Sequence, residues 1–268
     1  LHLGYALGSV AAPPFAAKMV MSSVWNYSYS IMGGFMTFAG LVFLYIMVRY
    51  KKAPDTENNT QGNMQKKIPY FALMKNRKMI MLCLISFCQS GAMLFTIWLP
   101  TYLIQVNATK YPIEFSSMII TLYFVLSVVS RALLSSALKR VSVINYLKYG
   151  SLFSSIAVFT TIIADSRLIW IVGMVVLGIV CGANYTAQTV LICDQFPQYS
   201  STSTSLCGIS RAFGNIVLNA AIGMFLQKGL NRTSMMTIVI SMMLVSVILW
   251  ISYDMHGKIK KCDNAVEA

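Results

Sequence analysis

Residues 75–104 read KNRKMIMLCLISFCQSGAMLFTIWLPTYLI. After Lys75, Arg77 and Lys78, the stretch from Met79 to Ile104 carries no Asp, Glu, Lys or Arg. At about 1.5 Å of rise per residue, a helix of that length crosses the roughly 30 Å hydrocarbon core of a bilayer. The run is continuously apolar rather than alternating every second residue, so it predicts a helix and not a barrel strand. The cations at its start mark the cytoplasmic end.

The same pattern recurs on both sides of this stretch. Spans are expected at residues 3–21, 25–48, 79–104, 114–138, 146–164, 168–193, 203–227 and 234–253. The fold class is therefore an all-α polytopic membrane protein with eight transmembrane helices. Composition agrees: 57% of residues are hydrophobic and 11% charged, with a mean hydropathy of +0.66, too little polar surface to cover a water-soluble globule. The lipid bilayer is the first partner.

A net charge of +13 raises the question of nucleic acid, but the cations are sorted by topology. Arg49, Lys51, Lys52, Lys66, Lys67, Lys75, Arg77 and Lys78 precede the third span, Lys139, Arg140 and Lys148 follow the fourth, and Lys258, Lys260 and Lys261 follow the last. All fall on one side, which the positive-inside rule makes cytoplasmic, and the C-terminus lies there too. No nucleic-acid partner is expected. The chain divides into two helices (1–48), a basic cytoplasmic central loop (49–78), a six-helix bundle (79–253) and a cytoplasmic tail (254–268). It opens at Leu1 directly in a span, without the basic n-region of a signal peptide, and so reads as a fragment.

Function must be sought in polar groups that interrupt the apolar runs, because charge in a membrane is costly and usually faces a cavity or a partner. Arg131 and Arg211 are the two cations well inside spans, seven or eight residues from the cytoplasmic boundary. Thr121, Ser127, Ser130 and Ser135 recur near the face of Arg131 at helical spacing, a stripe expected to line water. Two fixed cations without a nearby acid suit an anion, since a guanidinium grips a carboxylate through two parallel hydrogen bonds. The competing readings are that an Arg this close to the inner boundary snorkels to it, or pairs with backbone carbonyls to latch a gate. Asn184, Tyr185, Thr186, Gln188 and Thr189 on the sixth span, with Asn215 and Asn219 on the seventh, are candidates to line the cavity or to bond helices together. Asp194, at the inner end of its span, is expected to pair with Lys139 or Arg140 as a gating latch.

Other chemistries lack material. His2 and His256 stand at opposite ends, and Cys83, Cys88, Cys181, Cys193, Cys207 and Cys262 lie in spans or in the tail, so no metal site, cofactor or enzymatic activity is expected and the thiols read as small packing residues. Asn26, Asn107 and Asn231 begin N-x-S/T sequons in or beside outer loops; Asn107 and Asn231 are the glycosylation candidates. Trp98 and Trp250, near span ends, read as interface anchors. Gly4 with Gly8, Gly178 with Gly182, and Gly208 with Gly214 offer smooth packing faces. Pro13-Pro14 and Pro100 break hydrogen bonds inside spans and allow a bend.

Six spans after a basic central loop resemble the C-terminal half of a major facilitator superfamily transporter, with the first two spans as helices five and six of twelve. Trp98-Leu99-Pro100-Thr101-Tyr102-Leu103 is similar to a sequence common in the seventh helix of the superfamily, and Ser130-Arg131 with Leu138-Lys139-Arg140 to its eighth-helix pattern. Gly4 to Ser9, Pro13-Pro14, Trp25 and Gly33-Gly34, together with Gly178 to Phe196, resemble the fifth, sixth and tenth helices of the monocarboxylate transporters. That resemblance implies a secondary transporter, a symporter of small organic anions, in the plasma membrane rather than a vesicle, working by alternating access. A coupling ion and a single-span accessory subunit are the further partners it leaves open. It matches Arg131 to a substrate-binding arginine. Four residues earlier, where the family has a proton-accepting Asp, this chain has Ser127, which does not titrate near neutral pH. Asp194-Gln195-Phe196-Pro197 also resembles organic-ion and synaptic-vesicle transporters, and the third span the anion:cation symporters. A receptor without transport is the alternative from another class.

Overall fold

A computed structural model of the protein describes residues 12–19, 21–22, 25–50, 73–107 and 110–266, with side chains described as far as Ser252. The expected span at 3–21 lies largely outside these residues, as do the Gly4 to Ser9 motif, most of the central loop and the side chains of Trp25, Asn26 and Asn107. Two compact units divide the chain, one made of residues 14–69 and the other of residues 1–13 and 70–268.

The smaller unit holds α1 (Trp25–Tyr50), preceded by helical residues 14–19. Its middle, Gly33–Ile46, is largely apolar.

The larger unit contains α2 (Arg77–Asn107), α3 (Ile113–Leu138), α4 (Val143–Ala164), α5 (Arg167–Cys181), α6 (Asn184–Gln195), α7 (Ser200–Gln227) and α8 (Asn231–Val266). α5 and α6 are the two halves of one span broken at Gly182-Ala183, so among the described residues six helices are long and apolar enough to cross a membrane. These match the last six expected spans. α8 runs on past the expected boundary at residue 253 to Val266.

Helix ends follow local chemistry. Ser142 caps α4 by accepting from the Asn145 amide at 3.3 Å, and Asp165 ends it in the left-handed conformation at φ 40°, which short polar side chains tolerate. α2 continues through Pro100.

The core is apolar and shared among the spans: Leu94, Phe95, Leu99 and Leu103 of α2 meet Ile119 of α3, Val158 and Ile162 of α4, Trp170 and Met174 of α5, Ile222 of α7 and Ile238 of α8. Apolar side chains at the periphery, such as Leu133, Ile163, Leu168, Ile209 and Ile240, are exposed, as lipid-facing residues are. Packing depends on missing side chains at several glycines. A Cβ on Gly178 would come within 2.6 Å of Leu126 Cβ on α3, and one on Gly182 within 2.6 Å of Ser127 Cα. Gly214 similarly lets α7 lie on the backbone of α2 at Phe87. Gly208 has open space beside it, so the expected pairing of Gly208 with Gly214 as one smooth face is corrected: only Gly214 packs.

Candidate functional site

The break at Gly182-Ala183 strips helical partners from the carbonyls before it, and neighbouring spans supply replacements. Ser130 Oγ donates to the Ile179 carbonyl at 2.7 Å, Tyr146 hydroxyl to Val180 at 3.4 Å, Ser127 Oγ to Gly182 at 3.1 Å, and Arg131 Nε to the same Gly182 carbonyl at 3.0 Å. The serine stripe is therefore not a water-lined face as expected. Ser127 and Ser130 are buried against α5, and Ser135 is exposed; the close approach made possible by Gly178 and Gly182 brings the hydroxyls onto the carbonyls.

Arg211 reaches the same span from α7. Its guanidinium donates to Gln188 Oε1 and lies over the Tyr185 ring, 4.1 Å from the centroid. Gln188 is fully buried, and its Nε2 donates to Ser86 Oγ of α2 at 2.6 Å. Ser86 in turn donates to the Leu82 carbonyl at 2.8 Å. This chain of bonds from α2 through α6 to α7 fixes the guanidinium, whose charge would be costly in an apolar site without such partners.

Arg131 and Arg211 thus converge on one broken span. Gly182 and Tyr185 are three residues apart, about 4.5 Å along a helix. Asn184 is buried between them in sequence, with Nδ2 toward Cys181 Sγ at 3.5 Å. The side-chain oxygens of Asn184 and Asn215 are buried without a protein donor. Of the other cavity candidates, Asn219 accepts from Trp98 Nε1 at 2.7 Å, joining α2 to α7, so Trp98 is a helix-to-helix link rather than an interface anchor. Trp250 covers Lys148 Nζ, 4.7 Å from its ring centroid, and Lys148 is buried in α4.

Asp194 is exposed at the end of α6, and in this conformation it forms no ion pair with Lys139 or Arg140, which are exposed at the end of α3. The ion pair found among the described residues lies at the opposite rim. Lys110 Nζ approaches Asp165 Oδ2 at 3.1 Å and also donates to the Asp165 carbonyl, while Tyr111 hydroxyl donates to Asp165 Oδ1 at 2.5 Å. Arg167 Nε donates to the Lys110 carbonyl at 2.7 Å. Burial pushes the Asp165 carboxyl upward, but the Tyr111 hydroxyl and the Lys110 ammonium outweigh it and hold the carboxyl below its ordinary range. Lys110 is held above the ordinary ammonium range, first by Tyr111 and then by Asp165.

This rim cluster was not foreseen; the signal available was an Asp directly after one span and a Lys-Tyr directly before another. Asn231, the sequon residue whose side chain is described, opens α8 and is partly exposed. Among the described residues no group of three or more His, Cys, Asp or Glu could hold a metal ion.

A sequence model described as Major Facilitator Superfamily matches residues 1–218 of the chain. A comparison with curated proteins finds no match.

Proposed function

The chain belongs to the major facilitator superfamily, a superfamily of membrane transporters, and from that premise we propose that it is a secondary transporter of a small organic anion, with a monocarboxylate as the first candidate. The observation that carries this reading is the convergence of Arg131 and Arg211, from α3 and α7, on the broken span formed by α5 and α6. Each guanidinium has five N–H donors in a planar fork that matches a carboxylate, and each is held by a neutral partner, the Gly182 carbonyl or the Gln188 amide oxygen. A carboxylate can replace a neutral acceptor at either arginine because the charge-assisted bond is the stronger one.

Exchange at Arg131 would release the Gly182 carbonyl, one of the groups that fix the break. Substrate binding and bending of the span are coupled in this way, which is what alternating access between two helix bundles requires. On this reading residues 79–253 form one of those bundles in a multi-pass protein of the plasma membrane. The latch between Asp194 and Lys139 or Arg140 belongs to the alternative state, in which the inner ends of α3 and α6 close together. Ser127, bonded to Gly182, serves the break rather than a proton.

Uptake of labelled lactate and pyruvate by cells expressing the full-length protein tests the reading. Saturable uptake competed by other short carboxylates is expected. Failure with every monocarboxylate overturns that substrate class, and equal uptake of uncharged amides of the same acids overturns the anion reading.

A further inference from the structure

The entry to α2 carries Lys75, Arg77 and Lys78, all exposed. No Asp or Glu occurs from residue 58 to residue 113, and among the described residues no acid pairs with these three cations. They sit on an anchored backbone. Leu73 is buried, the Asn76 amide donates to the Leu73 carbonyl at 3.1 Å, and Asn76 Oδ1 accepts from the Lys78 amide at 2.9 Å. Met79 and Leu82 are buried just beyond, so the helix is fixed on one side while its cations turn outward.

An apolar track continues from the cations into the span. Arg77, Ile80, Leu84 and Phe87 are spaced by three, four and three residues, which places them on one face of α2. Ile80 and Leu84 are exposed and Phe87 is half-buried. The exposed Phe213 of α7 widens the track, its ring centroid 6.1 Å from that of Phe87. From Arg77 to Phe87 the track runs roughly 15 Å along the helix. One turn further, Gly91 lies against Ser241 of α8, which closes the face. Cations at the edge of the span with exposed apolar side chains directly beneath them repeat the order of groups in a phospholipid.

We propose that this face of α2 and α7 binds an anionic phospholipid from the leaflet on the basic side. The phosphates of its headgroup meet Lys75, Arg77 and Lys78, and an acyl chain lies along Ile80, Leu84, Phe87 and Phe213. The Arg77 guanidinium offers a planar fork to two phosphate oxygens, and the lysines add point charges. Three cations exceed what a single phosphodiester neutralises, so a headgroup with further phosphomonoesters, as in a phosphatidylinositol bisphosphate, fits better than phosphatidylserine. A soluble phosphate would satisfy the cations and leave the apolar track uncovered, which favours the lipid. The site does not depend on what the protein transports.

Titration of the detergent-purified full-length protein with dioctanoyl phosphatidylinositol bisphosphate tests it, read by native mass spectrometry and by melting temperature. Saturable addition of one lipid and a higher melting temperature are expected, with affinity about a hundredfold above that for dioctanoyl phosphatidylcholine. Dioctanoyl phosphatidylserine should fall between the two. The headgroup alone, inositol trisphosphate, should bind at least about tenfold more weakly than the lipid because it buries no chain. The triple variant Lys75→Gln, Arg77→Gln, Lys78→Gln should bind the bisphosphate lipid no better than phosphatidylcholine. Equal affinity for phosphatidylcholine or for the free headgroup overturns the proposal, as does undiminished binding in the triple variant. Absence of lipid binding also overturns it and marks the face as covered by protein. If the triple variant does not fold, the wild-type titration repeated in about 1 M salt, where charges are screened beyond roughly 3 Å, decides in its place: unchanged affinity there overturns the proposal.

Discussion

Replacing Gln188 by Glu places a carboxylate against Arg211 at a buried position whose present side chain is a neutral acceptor. If Arg211 supplies positive charge for an anionic substrate, Gln188→Glu cancels it. Two unit charges about 4 Å apart attract by about 4 kcal/mol at an effective dielectric near 20, and loss of that attraction corresponds to roughly a thousandfold in affinity. Solvent in the cavity weakens the attraction, so substrate affinity is expected to fall by about a hundredfold. Thermal stability should fall little, because the charged acceptor for Arg211 offsets loss of the amide donor to Ser86.

The companion change Gln188→Leu separates site from scaffold. It removes the acceptor from the Arg211 guanidinium, and a hydrogen bond to a charged group is worth about 1.5–3 kcal/mol, so this variant should melt earlier. The assay is equilibrium binding of a labelled carboxylate to detergent-purified protein, alongside a melting curve for each variant. Wild-type affinity in Gln188→Glu would refute a role for Arg211 in anion binding.

The remaining predictions concern the scaffold. Gly182→Ala should destabilise the protein by about 1–3 kcal/mol through overpacking, read as a lower melting temperature, because the new methyl meets the Ser127 backbone; Gly208→Ala, with open space beside it, should be neutral or slightly stabilising. The Asp165 carboxyl is held below its ordinary value of 3.8 in the folded protein, so its stabilising contribution is present above about pH 4 and is lost as pH falls through the lowered native value. Asp165→Asn should therefore lower the melting temperature at neutral pH and flatten its decline in acid, as melting curves across that range would reveal.

The spans themselves were legible because a bilayer demands long apolar runs, and the six helices from Arg77 onward lie where those runs place them. The break inside the fourth of them was not legible. Gly178, Gly182 and Asn184 read equally as packing and polar glue, and only the arrival of Ser127, Ser130, Arg131 and Tyr146 from other helices makes the break sustainable. Arg131 and Arg211 stood out in sequence as charges within apolar stretches, yet their meeting on one span is tertiary information. The same holds at the rims. Asp194 with Lys139 or Arg140 was the expected pair, whereas Asp165 meets Lys110 from 55 residues away, a separation no local pattern encodes. Trp98 failed as an interface anchor because Asn219, 121 residues on, offers its indole a part-buried acceptor.

The central claim, that Arg131 grips an anionic substrate at the break, is tested most directly by the affinity of Arg131→Lys for a labelled monocarboxylate. Lys keeps the charge but loses the planar fork, so loss of one charge-assisted bond worth about 1.5–3 kcal/mol predicts binding weaker by at least about tenfold. Affinity equal to that of the wild-type protein would contradict the account.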